Sequence, residues 1–165
     1  MELIKHTPVL WALFLATAAI SIGFIVWIPN LGGTILDSIA AVDEVQARLN
    51  AMSDVQKDSH FMMTLVLDMV FPLAYGGLFA GLALRFGGNA GIWLAIPALA
   101  VIPVDLFENT IQLLALKGSD GLLSVKAILT PVKSVLFLLA GLIAVGALAL
   151  GAVQMVRSRI GHNAD

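Results

Sequence analysis

Residues 61–116 read FMMTLVLDMVFPLAYGGLFAGLALRF, GGNA, GIWLAIPALAVIPVDLFENTIQLLAL: two long apolar runs joined by a four-residue turn. Crossing about 30 Å of hydrocarbon takes roughly 20 apolar residues in a helix, so each run is long enough to span a bilayer. The glycines and asparagine between them predict a tight turn and hence two antiparallel neighbours. Asp68 interrupts the first run, and Asp105 and Glu108 interrupt the second. A charge near mid-bilayer costs roughly 2.5–3.5 kcal/mol on insertion scales, so such acids face a bundle interior and mark a site by default.

Two further runs complete the pattern. Residues 8–29 are uncharged and carry Trp11 and Trp27 near their ends, where indole rings favour the interface. Lys5 precedes this run in the manner of a signal peptide. The run exceeds the roughly 7–15 residues of a signal h-region and no small-residue cleavage site follows it directly, so a retained helix is expected. Residues 122–156 are too long for one perpendicular span. Threonine is a fair N-cap and proline fits a first helical turn, so Thr130-Pro131 predicts a short interfacial helix over 120–129 and a fourth span over 131–156.

Between the first two spans, Pro29, Gly32 and Gly33 break the helix. Thr34 with Asp37 resembles a capping box. Ile35, Ile39, Val42, Leu49 and Met52 recur at helical spacing opposite Asp43, Glu44, Gln46 and Arg48, which predicts one extramembrane amphipathic helix over 34–58. It serves as a lid over the bundle mouth, as a surface helix or as a solvated connector. The expected fold is an all-α integral membrane protein, a single domain over 1–165, with a four-helix transmembrane bundle (8–29, 61–86, 91–116, 131–156) and that amphipathic segment.

Composition agrees. Of 165 residues, 59% are hydrophobic and 12% charged, about half the charge of a soluble domain. The net charge of −2 carries no basic stripe, which excludes nucleic acid as a partner. With no cysteine, thiolate chemistry, disulfide exchange and iron–sulfur ligation are excluded. His6, His60 and His162 are expected at or beyond helix ends, which excludes a haem held by two membrane-buried histidines. No HExxH motif occurs, and Asp105-x-x-Glu108 is only a loose substitute for DxxD spacing. No cofactor and no metal are expected. Lys5, Arg85, Arg157 and Arg159 fall on one side, Arg48, Lys57 and Lys117 on the other, which predicts both termini in the cytoplasm, in a bacterial plasma membrane. Gly77-x-x-x-Gly81 and Ala140, Ala144, Ala147 and Gly151 are small-residue faces that permit close helix approach, within a chain or in a homodimer.

Counting places the acids. Asp68 lies about seven residues inside the outer end of its span, roughly 10 Å deep, and Glu108 and Asp105 about eight and eleven residues inside theirs, roughly 12 and 17 Å. On two antiparallel neighbours they meet in the outer half of the bilayer. Thr64, Pro72 and Tyr75 share the face of Asp68, and Asn109 and Gln112 that of Glu108. Lys126 and Lys133 lie seven residues apart on one face with Thr130 between, and Lys133 can reach down to the acids or up to a lipid phosphate. Prolines 72, 97, 103 and 131 free backbone carbonyls to line a cavity.

Neighbouring carboxylates in a low dielectric are not all ionised, so one of Asp68, Asp105 and Glu108 would hold its proton as a general acid and another act as the base. Tyr75, Asn109, Gln112, Lys133 and Thr64 would bind the ligand. The expectation is a pocket for membrane lipids or an amphiphilic small molecule, with isomerase-like acid–base chemistry rather than hydrolysis, since no serine or cysteine sits beside a histidine. Two other classes stay open: a proton- or cation-conducting or transport unit using the acids as a relay, and an accessory protein recognised through residues 34–58. The thinning of polar residues below Tyr75 weighs against a continuous conduction path.

Overall fold

The computed structural model describes residues 2–162, with side chains as far as Arg157; the side chains of Arg159 and His162 lie outside the described residues. Every regular element among the described residues is helical. Four segments among them are long and apolar enough to cross a membrane, Thr7–Leu31, Asp54–Phe86, Gly88–Leu116 and Leu123–Arg157.

Helix α1 (Thr7–Trp27) starts with Pro8 in its first turn, where the missing N–H costs nothing, and buries only Leu10. It is an outer helix. Helix α4 (Phe71–Phe86) is central, packed on α1, α6 (Ile96–Leu116) and α7 (Leu123–His162). Arg85 donates to the carbonyl of Lys5 at 3.2 Å and to Thr7 Oγ1 at 2.7 Å, which ties the start of α1 to the end of α4. The half of the bundle near Arg85 is apolar. Leu10, Leu78, Leu82, Ala144 and Ala147 form one cluster there, and Ala80, Ala83, Ala95, Ala98 and Ala140 another. The small-residue faces are thus filled by the chain's own helices: a Cβ on Gly81 would meet the Ile4 carbonyl, and one on Gly151 would meet the Phe86 ring.

Two expectations about helix limits are corrected. The segment 34–58 is not one helix. It comprises a 3-10 turn at Leu36–Ser38, α2 (Val42–Ala51), and α3 (Asp54–Met63), which continues into the second span. The break has a cause at Ser53, whose hydroxyl accepts from Gln56 N at 3.3 Å while Gln56 Oε1 accepts from Ser53 N at 2.9 Å. This capping box starts a new helix, whereas the one expected at Thr34–Asp37 does not form. Leu36, Val45, Leu49 and Met52 pack on Ala115, Leu116 and Leu123, so this segment folds over one end of the bundle.

The third apolar segment, Gly88–Leu116, carries one interruption. A short α5 (Gly91–Leu94) ends at Ala95, because Pro97 in the first turn of α6 supplies no N–H to the preceding turn. The fourth span shows the opposite. The expected separation of 120–129 from 131–156 is absent, and α7 runs unbroken from Leu123 with Pro131 inside it. A proline inside a helix costs about 3 kcal/mol. Here the turn before it is held by polar side chains, Lys126 and Thr130, whose partners lie on other elements.

Candidate functional site

The site begins with a proline. Pro72 has no N–H to give the carbonyl four residues earlier, that of Asp68, and its ring crowds that carbonyl. The chain answers with a π-helical turn over Thr64–Asp68, in which Met69 N reaches back five residues to the Thr64 carbonyl at 2.9 Å. The Asp68 carbonyl is then satisfied from α6, where Asn109 Nδ2 donates to it at 2.9 Å.

Above this joint the polar side chains converge. Glu108, fully buried, receives Lys133 Nζ on Oε2 at 2.7 Å and Lys126 Nζ on Oε1 at 3.1 Å, and Thr130 donates to it as well. Asp105 Oδ2 accepts from the Tyr75 hydroxyl at 2.7 Å, and its Oδ1 lies 3.4 Å from Lys133. The third partner of Lys133 is Asp37, on the 3-10 turn. Lys126 also donates to the carbonyls of Leu36 and Ile39, at 2.9 and 2.8 Å. Two lysines one face apart on α7 therefore anchor the covering segment to the buried acids. A helix interrupted at Thr130 would not align Lys126, Thr130 and Lys133, so the continuity of α7 is itself part of the site.

A second chain of polar groups lies beside the first. Leu36 N–H donates to His60 Nε2 at 3.1 Å, which leaves the proton of a neutral ring on Nδ1, 3.4 Å from Thr64 Oγ1. Gln112 Nε2 donates to the same hydroxyl at 2.9 Å. His60 thus sits fully buried in the last turn of α3, where that helix passes into the π-turn, and holds the covering segment. The amide oxygens of Asn109 and Gln112 are buried without a hydrogen-bond partner among the described residues.

Asp68 differs from all of these. It is 6% exposed, yet its carboxyl group makes no hydrogen bond or ion pair among the described residues. It faces a cavity of about 410 Å³ lined at its polar end by Asp37, Asp68, Asp105, Lys133 and Ser134. The rest of the wall is apolar, with Phe24 of α1 and Ile28 just past its end on one side and Phe137 of α7 on the other. The rings are contiguous: Phe24 to Phe71 at 5.4 Å between centroids, Phe71 to Tyr75 at 5.0 Å, and Tyr75 to Phe137 at 5.0 Å.

No family model, curated protein or solved structure matches this chain. The site's chemistry is therefore read from its own residues.

Of the residues singled out from the sequence, Asp68, Tyr75, Asp105 and Lys133 line the cavity. Glu108 lies behind them, joined through Lys133. Asn109 holds the π-turn, while Thr64 and Gln112 belong to the His60 chain. Lys133 turns to the acids rather than toward a lipid phosphate. Sequence reasoning missed Asp37, Lys126 and His60 as partners, together with Phe24, Phe71 and Phe137. The seven-residue interval between the lysines pointed to Lys126, whereas Asp37 carried no periodic signal because it sits on an irregular segment.

Oxygens of Asp37, Asp105 and Glu108 lie within 4.8 Å of one another, a spacing that suits a metal ion. Lys133 Nζ contacts all three, so the internal ammonium already supplies the positive charge such an ion would bring. A divalent cation would have to displace it.

Proposed function

We propose that this protein binds an amphiphilic, lipid-like molecule in the cavity between α1 and α7 and exchanges protons with it through Asp68, as an isomerase would. The observation that carries the reading is the Asp68 carboxyl group, which belongs to a residue only 6% exposed, makes no hydrogen bond or ion pair among the described residues and faces an apolar-walled cavity. A buried polar group left unpaired costs free energy, so it is retained where a ligand or a proton completes it. The volume lies within the roughly 300–1,000 Å³ common for small-molecule sites. Asp105, hydrogen-bonded to Tyr75 and close to Lys133, is a second carboxyl group from which a proton can be taken or returned.

A relay across the bundle is less well supported. Beyond Tyr75, toward Arg85, the interior consists of the alanine- and leucine-lined clusters. A pocket closed at that end fits this better than a path. The protein would sit in a bacterial plasma membrane with both termini in the cytoplasm, which a reporter fused to the C-terminus and active only outside would refute.

The test is a mass-spectrometric survey of small molecules retained by gently purified protein. Asp68→Asn should lose the retained amphiphile, and deuterium from heavy water should enter carbon-bound positions of that molecule with the parent and not with the variant. A variant that carries the same co-extracted molecule at the same level as the parent would refute the reading.

A further inference from the structure

Four carboxyl groups and two lysines meet at the polar end of the cavity: Asp37, Asp68, Asp105 and Glu108 against Lys126 and Lys133. The lysines are fully engaged. Lys126 meets Glu108, Thr130 and two backbone carbonyls, and Lys133 meets three carboxylates. Asp68 is the acid neither of them reaches. Around it the wall is aromatic, and ring faces attract cations, most strongly where water is excluded.

We infer that the polar head of the bound molecule is a positively charged amine with no attached phosphate, paired with Asp68 and flanked by Phe24, Phe71, Tyr75 and Phe137. This rests on the pocket reading above and names its ligand class. An anionic head is disfavoured because Lys133, the one cation lining the cavity among the described residues, already has three carboxylate partners. A zwitterionic phospholipid head meets the same obstacle, since its phosphate would lie beside Asp37 and Asp105. A hydroxyl head could accept or donate a hydrogen bond at Asp68 but would gain nothing from the ring faces, which attract a cation.

The experiment compares three probes with one tail on the full chain in nanodiscs, with empty nanodiscs as background: dodecyltrimethylammonium, dodecanol and dodecylphosphocholine. The trimethylammonium group carries a permanent charge and no N–H, so it reads charge and ring contact rather than hydrogen bonding. The unaltered protein should retain it at least about tenfold better than either other probe, a difference worth one decade of affinity. Asp68→Asn should abolish that preference, and Phe71→Leu should reduce it. The comparison among probes needs no variant, so a misfolded variant does not remove the test. If dodecanol or dodecylphosphocholine is retained as well as the ammonium, and Phe137→Trp expels them all by filling the cavity, the pocket stands and the cationic head is refuted. If no probe is retained above empty nanodiscs, both fall.

Discussion

Asn109 on α6 donates its side-chain amide to the backbone carbonyl of Asp68 at 2.9 Å, the carbonyl that Pro72 leaves without its helical partner. A defect in one helix is thereby repaired by a side chain of another, and the repair fixes the level at which α4 and α6 meet. The same turn carries the unpaired Asp68 side chain, so proline, π-turn, amide and carboxyl group form one device. The backbone is opened where the acid is displayed.

That relationship can be measured as a coupling. Asn109→Ala removes the donor and strands a buried carbonyl, at a cost of about 1–3 kcal/mol. Pro72→Ala restores an N–H that can pair with the same carbonyl. In the double variant the loss at 109 should therefore shrink, giving a favourable interaction energy of about 0.5–3 kcal/mol in a double-mutant cycle. Thermal or denaturant unfolding in detergent reads it. Strict additivity would mean that the amide and the proline act separately.

Lys133 should be among the costliest positions on α7. Its ammonium is shared by Asp37, Asp105 and Glu108, so Lys133→Met leaves those carboxylates mutually repelling in a dry interior. Removing one side of a buried pair costs about 3–5 kcal/mol. Asp37→Asn should cost about 1 kcal/mol or less, because its side chain is 28% exposed and the ammonium keeps two other partners. Glu108→Gln combined with Lys133→Met should recover part of the loss. Unfolding of the purified proteins gives the order; equal costs for Lys133→Met and Asp37→Asn would contradict it.

Much of this was readable from the chain, for identifiable reasons. Four long apolar helices follow from hydropathy alone, and the common level of Asp68, Asp105 and Glu108 along the bundle follows from counting along two antiparallel helices joined by Gly87-Gly88-Asn89. What escaped depended on tertiary contacts. Asp37 sits on a short 3-10 turn, where no period reports which way a side chain points. The continuity of α7 escaped because Thr130-Pro131 is a sound start signal locally, and only the pairing of Lys126 and Thr130 with Glu108 overrides it. The π-turn does carry a signal in the sequence: a proline four residues after an acid in a long apolar helix implies that the acid's own carbonyl is free.

The continuous α7 makes a prediction opposite to that of a helix start. If Pro131 opened a new span, alanine there would be neutral or harmful, because proline is preorganised for a first turn. Inside an unbroken helix, Pro131→Ala removes a ring clash and adds a hydrogen bond. It should stabilise the protein by about 1–3 kcal/mol, a part of the proline cost, seen as a raised unfolding midpoint. A lowered midpoint would indicate that the helix begins at Thr130 after all.

The neighbouring glycines of α4 separate close helix approach from mere tolerance. A Cβ on Gly76 would lie 2.5 Å from Ile102 Cγ1 and 3.0 Å from the Ala98 carbonyl, so α6 can approach only because that atom is missing. A Cβ on Gly77 would find the Leu13 methyl groups at 3.4 Å, an ordinary contact with a movable side chain on the outer helix. Gly76→Ala should therefore cost about 1–3 kcal/mol through overpacking. Gly77→Ala should be neutral or stabilise by about 0.5–1 kcal/mol, since alanine loses less backbone entropy in a helix. The shift at Gly76 would also part α4 from α6 at the level of the Asp105–Tyr75 hydrogen bond, so Gly76→Ala should weaken probe retention while Gly77→Ala leaves it unchanged. Paired unfolding and retention measurements on the two variants check this, and equal behaviour of both would mean that Gly76 is not where the helices meet.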